Sequence, residues 1–220
     1  MIRWQQVNTV LLDMDGTLLD LHYDNHFWLE HVPRRYAQRH GVSYEEAKAR
    51  LMRRYREVEG TLDWYCVDFW SQQLGLDVPL LKQEVEHLIA VHPHVIDFLQ
   101  AVRALGKRTV LVTNAHGKVL KLKMHRTKLG PHFDTMICAH DLGTPKEQVA
   151  FWQKMQDIEP FERISTVLID DSLPVLKSAR AYGIDQLVTV LKPDSRRPEK
   201  EVEEFPAIGS FKDIMPASLE

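Results

Sequence analysis

Apolar residues gather into five short runs rich in β-branched positions: Val7–Leu12, Arg108–Val112, Thr135–Ala139, Thr166–Ile169 and Leu187–Leu191. Each has the length of a buried strand and is bounded by polar or turn-forming residues. Between the later runs the spacing becomes helical. Val95, Phe98, Leu99, Val102 and Leu105 share one face ahead of Gly106, and Val175, Leu176, Ala179 and Tyr182 share another ahead of Gly183. Strands alternating with helices predict an α/β fold built on a doubly wound parallel sheet.

The stretch from about Leu21 to Ala90 breaks this alternation, because it holds several helical patterns and no convincing strand. Tyr44–Glu59 is rich in Glu, Arg and Ala, and Leu62, Tyr65, Cys66, Phe69 and Trp70 form an apolar stripe. Three of the five tryptophans (Trp28, Trp64, Trp70) fall here, so the segment has aromatic residues for a core of its own. The pattern divides the chain into a sheet domain of residues 1–20 and 92–220 and an all-helical cap of residues 21–91 over the sheet's ligand-binding end. Hinges are expected near Leu19–Tyr23 and Val91–His94. The charged, proline-containing tail Pro193–Glu204 reads as a solvated excursion before a docked end at Phe211–Met215.

Composition narrows the partners. The 220 residues are 44% hydrophobic and 27% charged, as in an ordinary globular chain. A formal net charge of −3 gives no general attraction to nucleic acid or anionic membrane. Cys66 and Cys138 lack metal-ligand spacing and read as reduced thiols. The N-terminus has no signal-like apolar region, and no apolar stretch approaches the ~20 residues of a membrane span. A cytoplasmic protein is expected.

Ligands of open α/β sheets gather beyond the carboxyl ends of the strands, so the residues following each run carry the candidate chemistry. After the first come Asp13-Met14-Asp15-Gly16-Thr17, and after the second Thr113-Asn114. Beyond the third lies Gly143-Thr144-Pro145-Lys146-Glu147, and after the fourth Asp170-Asp171-Ser172. D-x-D-G also opens calcium loops, but Leu18 and Leu19 stand where such a loop needs ligands. Asp13, Asp170 and Asp171 would repel one another without a divalent cation. Carboxylates unaccompanied by His or Cys favour Mg²⁺ over zinc. The Thr113 hydroxyl, the Asn114 amide and the Lys146 ammonium can bind phosphate oxygens and compensate their charge. Thr144, Pro145 and Glu147 predict a capping box that sets Lys146 in a helix's first turn.

These four positions resemble the motifs of haloacid-dehalogenase-like (HAD) phosphatases, and the helical insert resembles that superfamily's C1 cap. Val10–Asp20, Trp64-Tyr65-Cys66, Trp70-Ser71, Gln73–Asp77 and Thr113–His116 are similar to members that dephosphorylate GMP and IMP. Lys146-Glu147 departs from the commoner Lys-Pro. The resemblance implies a Rossmann-like core and a small phosphate ester as substrate. It makes Asp13 the nucleophile, forming an aspartyl-phosphate, and Asp15 the acid–base. It implies Mg²⁺ held by Asp13, the backbone carbonyl of Asp15, Asp171 and, beside or on the metal, Asp170. Dehalogenases of the superfamily lack the second aspartate, since a halide leaves without a proton, so Asp15 implies a phosphate ester. A sugar-phosphate phosphatase or a phosphomutase shares these motifs. A non-catalytic regulator with this fold would lack one of them, and none is missing.

Other candidates are weaker. Trp64 lies off the apolar stripe, so its face is available to stack on a purine. A 6-oxopurine offers an acceptor at O6 and a donor at N1, the reverse of adenine, so a pocket pairing both rejects AMP. His92 and His94 lack a third ligand, and His22 and His26 read as a surface pair. His116 reads as part of a solvated helix turn. Arg50, Arg53, Arg54 and Arg56, mixed with Glu45, Glu46, Glu57 and Glu59, read as a solvated helix face.

Overall fold

The structure, a computed structural model, describes residues 2–216. Its strands are β1 (Thr9–Leu12), β2 (Arg108–Thr113), β3 (Thr135–Cys138), β4 (Thr166–Ile169), β5 (Gln186–Val190) and β6 (Ala207–Ile208). They form one parallel sheet in the order β3-β2-β1-β4-β5-β6. The chain runs outward from β1 on one side and then restarts beside it at β4. The carboxyl ends of β1 and β4 therefore flank the topological switch point where such sheets bind ligands, with that of β2 next to β1.

Both sheet faces are buried, which explains the unbroken apolar runs. Val10 and Leu12 face one core cluster with Leu111, Val167 and Ile169, while Leu11 faces the other with Val110, Val112 and Leu168. The second cluster is filled by Phe151, Trp152 and Met155, and buried Trp152 Nε1 donates to Ser178 Oγ at 2.8 Å. The helices after the insert are α6 (Val95–Ala104), α7 (Gly117–Thr127), α8 (Ala139–Leu142), α9 (Val149–Ile158) and α10 (Leu173–Tyr182). Helices α6 and α10 end beside Gly106 and Gly183, as their spacing predicts.

The insert between β1 and α6 is built of helices: α1 (His22–His26), a π-helical turn at Phe27–His31, α2 (Val32–His40), α3 (Tyr44–Val58), α4 (Val67–Leu74) and α5 (Val78–Glu84), with short 3₁₀ turns at Leu62–Tyr65 and Glu86–Leu88. Ser43 caps α3 by accepting from Glu46 N at 3.2 Å, and Arg50 pairs with Glu46 one turn on at 2.5 Å, in keeping with a solvated face. Trp28, Tyr55, Trp64 and Trp70 form the insert's aromatic core, with Tyr55 and Trp70 edge to face at 5.1 Å. The connections into and out of the insert run side by side, Asp20 N donating to Ala90 O and His92 N to Leu18 O, both at 2.9 Å. No described helix is long and apolar enough to cross a membrane.

Two expectations are corrected and a third is refined. The Leu62–Trp70 stripe is not one helix, because Cys66 interrupts it and caps α4, its Sγ accepting from Phe69 N. Lys146 does not lie in a helix's first turn, since α9 begins only at Val149 behind Gln148. Its backbone is taken by tertiary partners instead: Lys146 N donates to Asn114 Oδ1 at 2.9 Å, and Lys146 O accepts from Ser178 Oγ at 2.5 Å. Thr144 Oγ1 accepts from Lys154 Nζ rather than capping the turn. The tail at Pro193–Glu204 is exposed over most of its length, as expected, but it is anchored as a strap through Pro193, Asp194 and Lys200. Asp194 is buried and accepts from Asn25 Nδ2 at 2.7 Å, Ser195 N donates to Asp20 Oδ1 at 3.0 Å, and Pro193 O accepts from Leu21 N at 2.8 Å. Beyond the strap the chain adds β6 and a docked 3₁₀ turn at Phe211–Ile214.

Candidate active site

Four sheet-end segments and the helical insert line one cavity. Asp13 continues β1, its N–H donating to Ile169 O at 3.0 Å, which locks β1 to β4 where the carboxylates begin. Its Oδ1 pairs with Lys146 Nζ at 2.5 Å, while Oδ2 is buried with no hydrogen-bond partner. Lys146 Nζ also pairs with Asp170 Oδ2 at 2.7 Å and donates to Val112 O at 3.0 Å. Burial pushes Asp13 and Asp170 up to about 6, against the pull of Lys146. For Lys146 burial works the other way, but the two carboxylates outweigh it and hold the ammonium above its ordinary value.

Asp171 lies beside this pair. Its N–H donates to Thr17 Oγ1 at 3.1 Å, and its Oδ2 accepts from Lys200 Nζ of the strap at 2.9 Å. Burial raises its pKa. One oxygen from each of Asp13, Asp170 and Asp171 lies within 4.8 Å of the other two, and this is the metal-competent cluster of His, Cys, Asp or Glu among the described residues. Gly16 makes room for it: at φ +87°, a Cβ there would stand 2.7 Å from Asp171 Cγ. An all-oxygen donor set, a partnerless buried carboxylate oxygen and raised carboxyl pKa values fit Mg²⁺. The Asp15 side chain stands outside this cluster.

Thr113 and Asn114 are buried at the end of β2, where Thr113 Oγ1 accepts from Ala115 N at 3.0 Å. The Asn114 side chain is already engaged, accepting from Lys146 N and donating through Nδ2 to Glu147 Oε2 at 2.9 Å. Glu147 Oε1 in turn accepts from Tyr65 OH of the insert at 2.6 Å. The residue that departs from Lys-Pro therefore joins the insert to the loop carrying Lys146. Asp15 turns toward α7, where its Oδ1 pairs with buried Lys123 Nζ at 2.6 Å, and burial pushes it up to about 6 against that lysine's pull.

A cavity of about 480 Å³ opens above these groups, large enough for a nucleotide-sized ligand. Asp13, Asp15, Lys146 and Asp171 line its floor, and Trp28 and Trp64 line its upper wall. Trp64 also packs edge to face on Tyr55 at 5.6 Å and on Trp70 at 6.1 Å, so intracap packing holds its ring while it borders the cavity. The remaining candidates do not converge. His92 Nε2 meets Pro193 O, His94 is exposed, and His22 lies against Asp194. His116 caps α7, accepting from Lys118 N, and lines the cavity.

The haloacid dehalogenase-like hydrolase family matches residues 7–183, which contain every one of these floor residues. The chain belongs to that family. It is a hydrolase with a Rossmann-like core. Over 218 residues it is 39% identical to the GMP/IMP nucleotidase YrfG of Escherichia coli K12, covering 99% of this chain and 98% of that protein. A Shigella flexneri protein of the same description matches equally. Among solved structures, a HAD phosphatase from Thermococcus onnurineus superposes with a TM-score of 0.81 at 22% identity, covering 94% of this chain and 96% of that one. L-2-haloacid dehalogenase from Xanthobacter autotrophicus superposes at 0.63 with 13% identity, covering 94% and 96%. At such identities these structures speak for the HAD fold alone.

Sequence reasoning missed Lys82, Lys123, Asp24 and Lys200, and gave Glu147 a capping role where it instead bonds Asn114 and Tyr65. A signal existed for the two lysines. Lys123 stands four residues after Val119 and three after Leu120, and Lys82 four after Val78, so each lies on the buried stripe of its helix.

Proposed function

We propose that this HAD-like hydrolase is a Mg²⁺-dependent phosphomonoesterase acting on purine nucleoside 5′-monophosphates, GMP and IMP preferred, through an aspartyl-phosphate. The observation that carries the reading is the partnerless Asp13 Oδ2, buried beside Lys146 at the floor of an aromatic-walled cavity. The near-full-length likeness to a GMP/IMP nucleotidase supports the choice of substrate.

Asp13 Oδ2 attacks phosphorus while Oδ1 stays on Lys146. As the bond from phosphorus to the ribose oxygen breaks, Asp15 gives that oxygen its proton. Asp15 then takes a proton from the water that attacks the aspartyl-phosphate, and inorganic phosphate leaves. A group raised to about 6 serves both roles near neutral pH. Lys146, with Thr113 and the backbone N–H groups near Asn114, compensates the charge of the phosphoryl oxygens. Asp13, Asp171 and Asp170, with the backbone carbonyl of Asp15, would hold Mg²⁺, which would supply charge neutralisation for the phosphoryl group when bound. An acid at position 15 is what an alkoxide leaving group requires and a halide does not, which favours phosphate-ester hydrolysis over dehalogenation.

Residues 21–91 act as a cap that closes on the substrate, pivoting where Leu19 and Val91 run antiparallel. Trp64 offers a cavity wall for the base. The two free thiols, Cys66 and Cys138, suit a cytoplasmic enzyme. The test is phosphate release from GMP, IMP, AMP and a panel of sugar phosphates with Mg²⁺. GMP and IMP should lead. A sugar phosphate ahead of every nucleotide would replace the substrate assignment, and transfer of phosphate to a second sugar instead of water would make the enzyme a mutase.

A further inference from the structure

Four charged side chains form a chain of ion pairs from the helical insert to Asp15. Lys123 Nζ on α7 pairs with Asp15 Oδ1 at 2.6 Å and with Asp24 Oδ2 at 2.5 Å. The other oxygen of Asp24, on α1 of the insert, pairs with Lys82 Nζ on α5 at 2.8 Å. Lys123 is 1% exposed and Lys82 3%, so neither ammonium is a surface charge. The Tyr23 ring lies 5.0 Å from Lys123 Nζ and 4.9 Å from Lys82 Nζ, and Phe27 lies 4.3 Å from Lys82 Nζ. Tyr23 is itself anchored, its hydroxyl donating to Lys82 O at 3.0 Å.

Packing alone does not account for burying two lysines. An ammonium taken out of water costs several kcal/mol unless paired, and a hydrophobic residue of similar volume would fill the space at no such cost. The phosphate chemistry described above uses neither lysine. We propose that Lys123 is a positioning residue for Asp15, and that Asp24 and Lys82 make this placement conditional on the insert being docked. Lys123 stands on the sheet domain, yet its second partner belongs to the insert. When the insert lifts, Asp24 and Lys82 leave with it, and Lys123 loses the contact that fixes its ammonium between Asp24 and Asp15. The acid–base is then held in register only over a closed cavity, where water is excluded. Asp24 is the pivot, since each of its oxygens serves one lysine, and the two lysines pull its pKa to about 2 although burial works the other way.

This inference rests on the reading of Asp15 as acid–base, and the experiment separates the two. Steady-state kinetics on GMP are compared with the burst of p-nitrophenol from p-nitrophenyl phosphate, whose leaving oxygen needs no proton. Lys123→Met should lower kcat on GMP about 10²-fold, the scale of general acid–base catalysis. KM should move less than about threefold, because substrate binding is untouched. The p-nitrophenol burst rate should likewise fall less than about threefold. In an Asp15→Asn background the same substitution should cost less than about twofold more, since Lys123 acts through Asp15. Losses equal on both substrates, or multiplying in the double variant, would overturn the positioning role. Lys82→Met, farther from the reacting atoms, should reproduce the GMP-selective loss at about fivefold, and wild-type turnover there would overturn the coupling to the insert. That variant also carries the test if Lys123→Met does not fold. An Asp15→Asn enzyme with full GMP turnover would overturn the acid–base reading itself, and this proposal with it. Wild-type enzyme inert to GMP but active on another alkyl phosphate would refute only the nucleotide assignment, and the same comparison is then made on that ester.

Discussion

Replacing Gly16 by alanine should uncouple metal binding from the rest of the fold. Gly16 sits at φ +87° just after β1, with its N–H donating to Leu19 O at 2.8 Å, so the turn cannot relax without losing its bridge. An added Cβ would lie 2.7 Å from Asp171 Cγ and 2.9 Å from each of its oxygens, closer than such atoms approach. Two costs follow. Holding an L-residue in the left-handed region costs about 1–2 kcal/mol. For a chain of this size that lowers Tm by about 2–8 °C. The second cost falls on the site, because the Asp171 carboxylate must turn away although Lys200 Nζ holds it at 2.9 Å. Misplacing a metal-holding group should weaken Mg²⁺ by about 10–100-fold, the scale seen when a ligand's support is lost. The assay is phosphate release against Mg²⁺ concentration, with thermal unfolding alongside. The alanine variant should need more Mg²⁺ for half-maximal rate and recover much of its rate at saturation. An unchanged Mg²⁺ requirement would refute the assignment of Asp171 to the metal.

Lys146→Met leaves Asp13 and Asp170 facing each other with no buried cation, which should destabilise the metal-free protein by about 3–5 kcal/mol, with added Mg²⁺ restoring part of the melting temperature but not the activity. Mg²⁺ binding should release protons at pH 5.5 and none at pH 8, because Asp13 and Asp170, raised to about 6, bind protons below that value and must lose them to ligate; calorimetry in buffers of different ionisation enthalpy reads this, and the opposite sign would contradict the site. Tyr65→Phe removes the donor to Glu147 at 2.6 Å and should raise KM up to about tenfold while leaving the fold intact, as read by steady-state kinetics and circular dichroism.

The sheet and the floor of the site are legible because their signals are local. A buried parallel strand is an apolar run, and Asp13, Thr113 and Asp170 stand at the first positions where such runs stop or turn polar. What escaped depends on partners distant in sequence. The turn around Lys146 carries a capping-box pattern, yet Asn114 and Ser178 capture its backbone groups before a helix can. Lys82 and Lys123 drew no reading from the sequence because their acceptor, Asp24, sits in a different helix. The strap's anchor points escaped for the same reason, since Asp194 and Lys200 find Asn25 and Asp171 only in the folded chain. Strand β6 is two residues long, too short to leave a pattern.

The central claim is that Asp13 carries the phosphoryl group. Turnover of GMP labelled in its phosphate, quenched in acid within the first cycle and mapped by peptide, tests it most directly. Label should appear on the peptide holding Asp13, decay on a chase with unlabelled GMP, and be absent from Asp13→Asn, which should also release no phosphate. Phosphate release by Asp13→Asn, or label on any other peptide, would contradict the account.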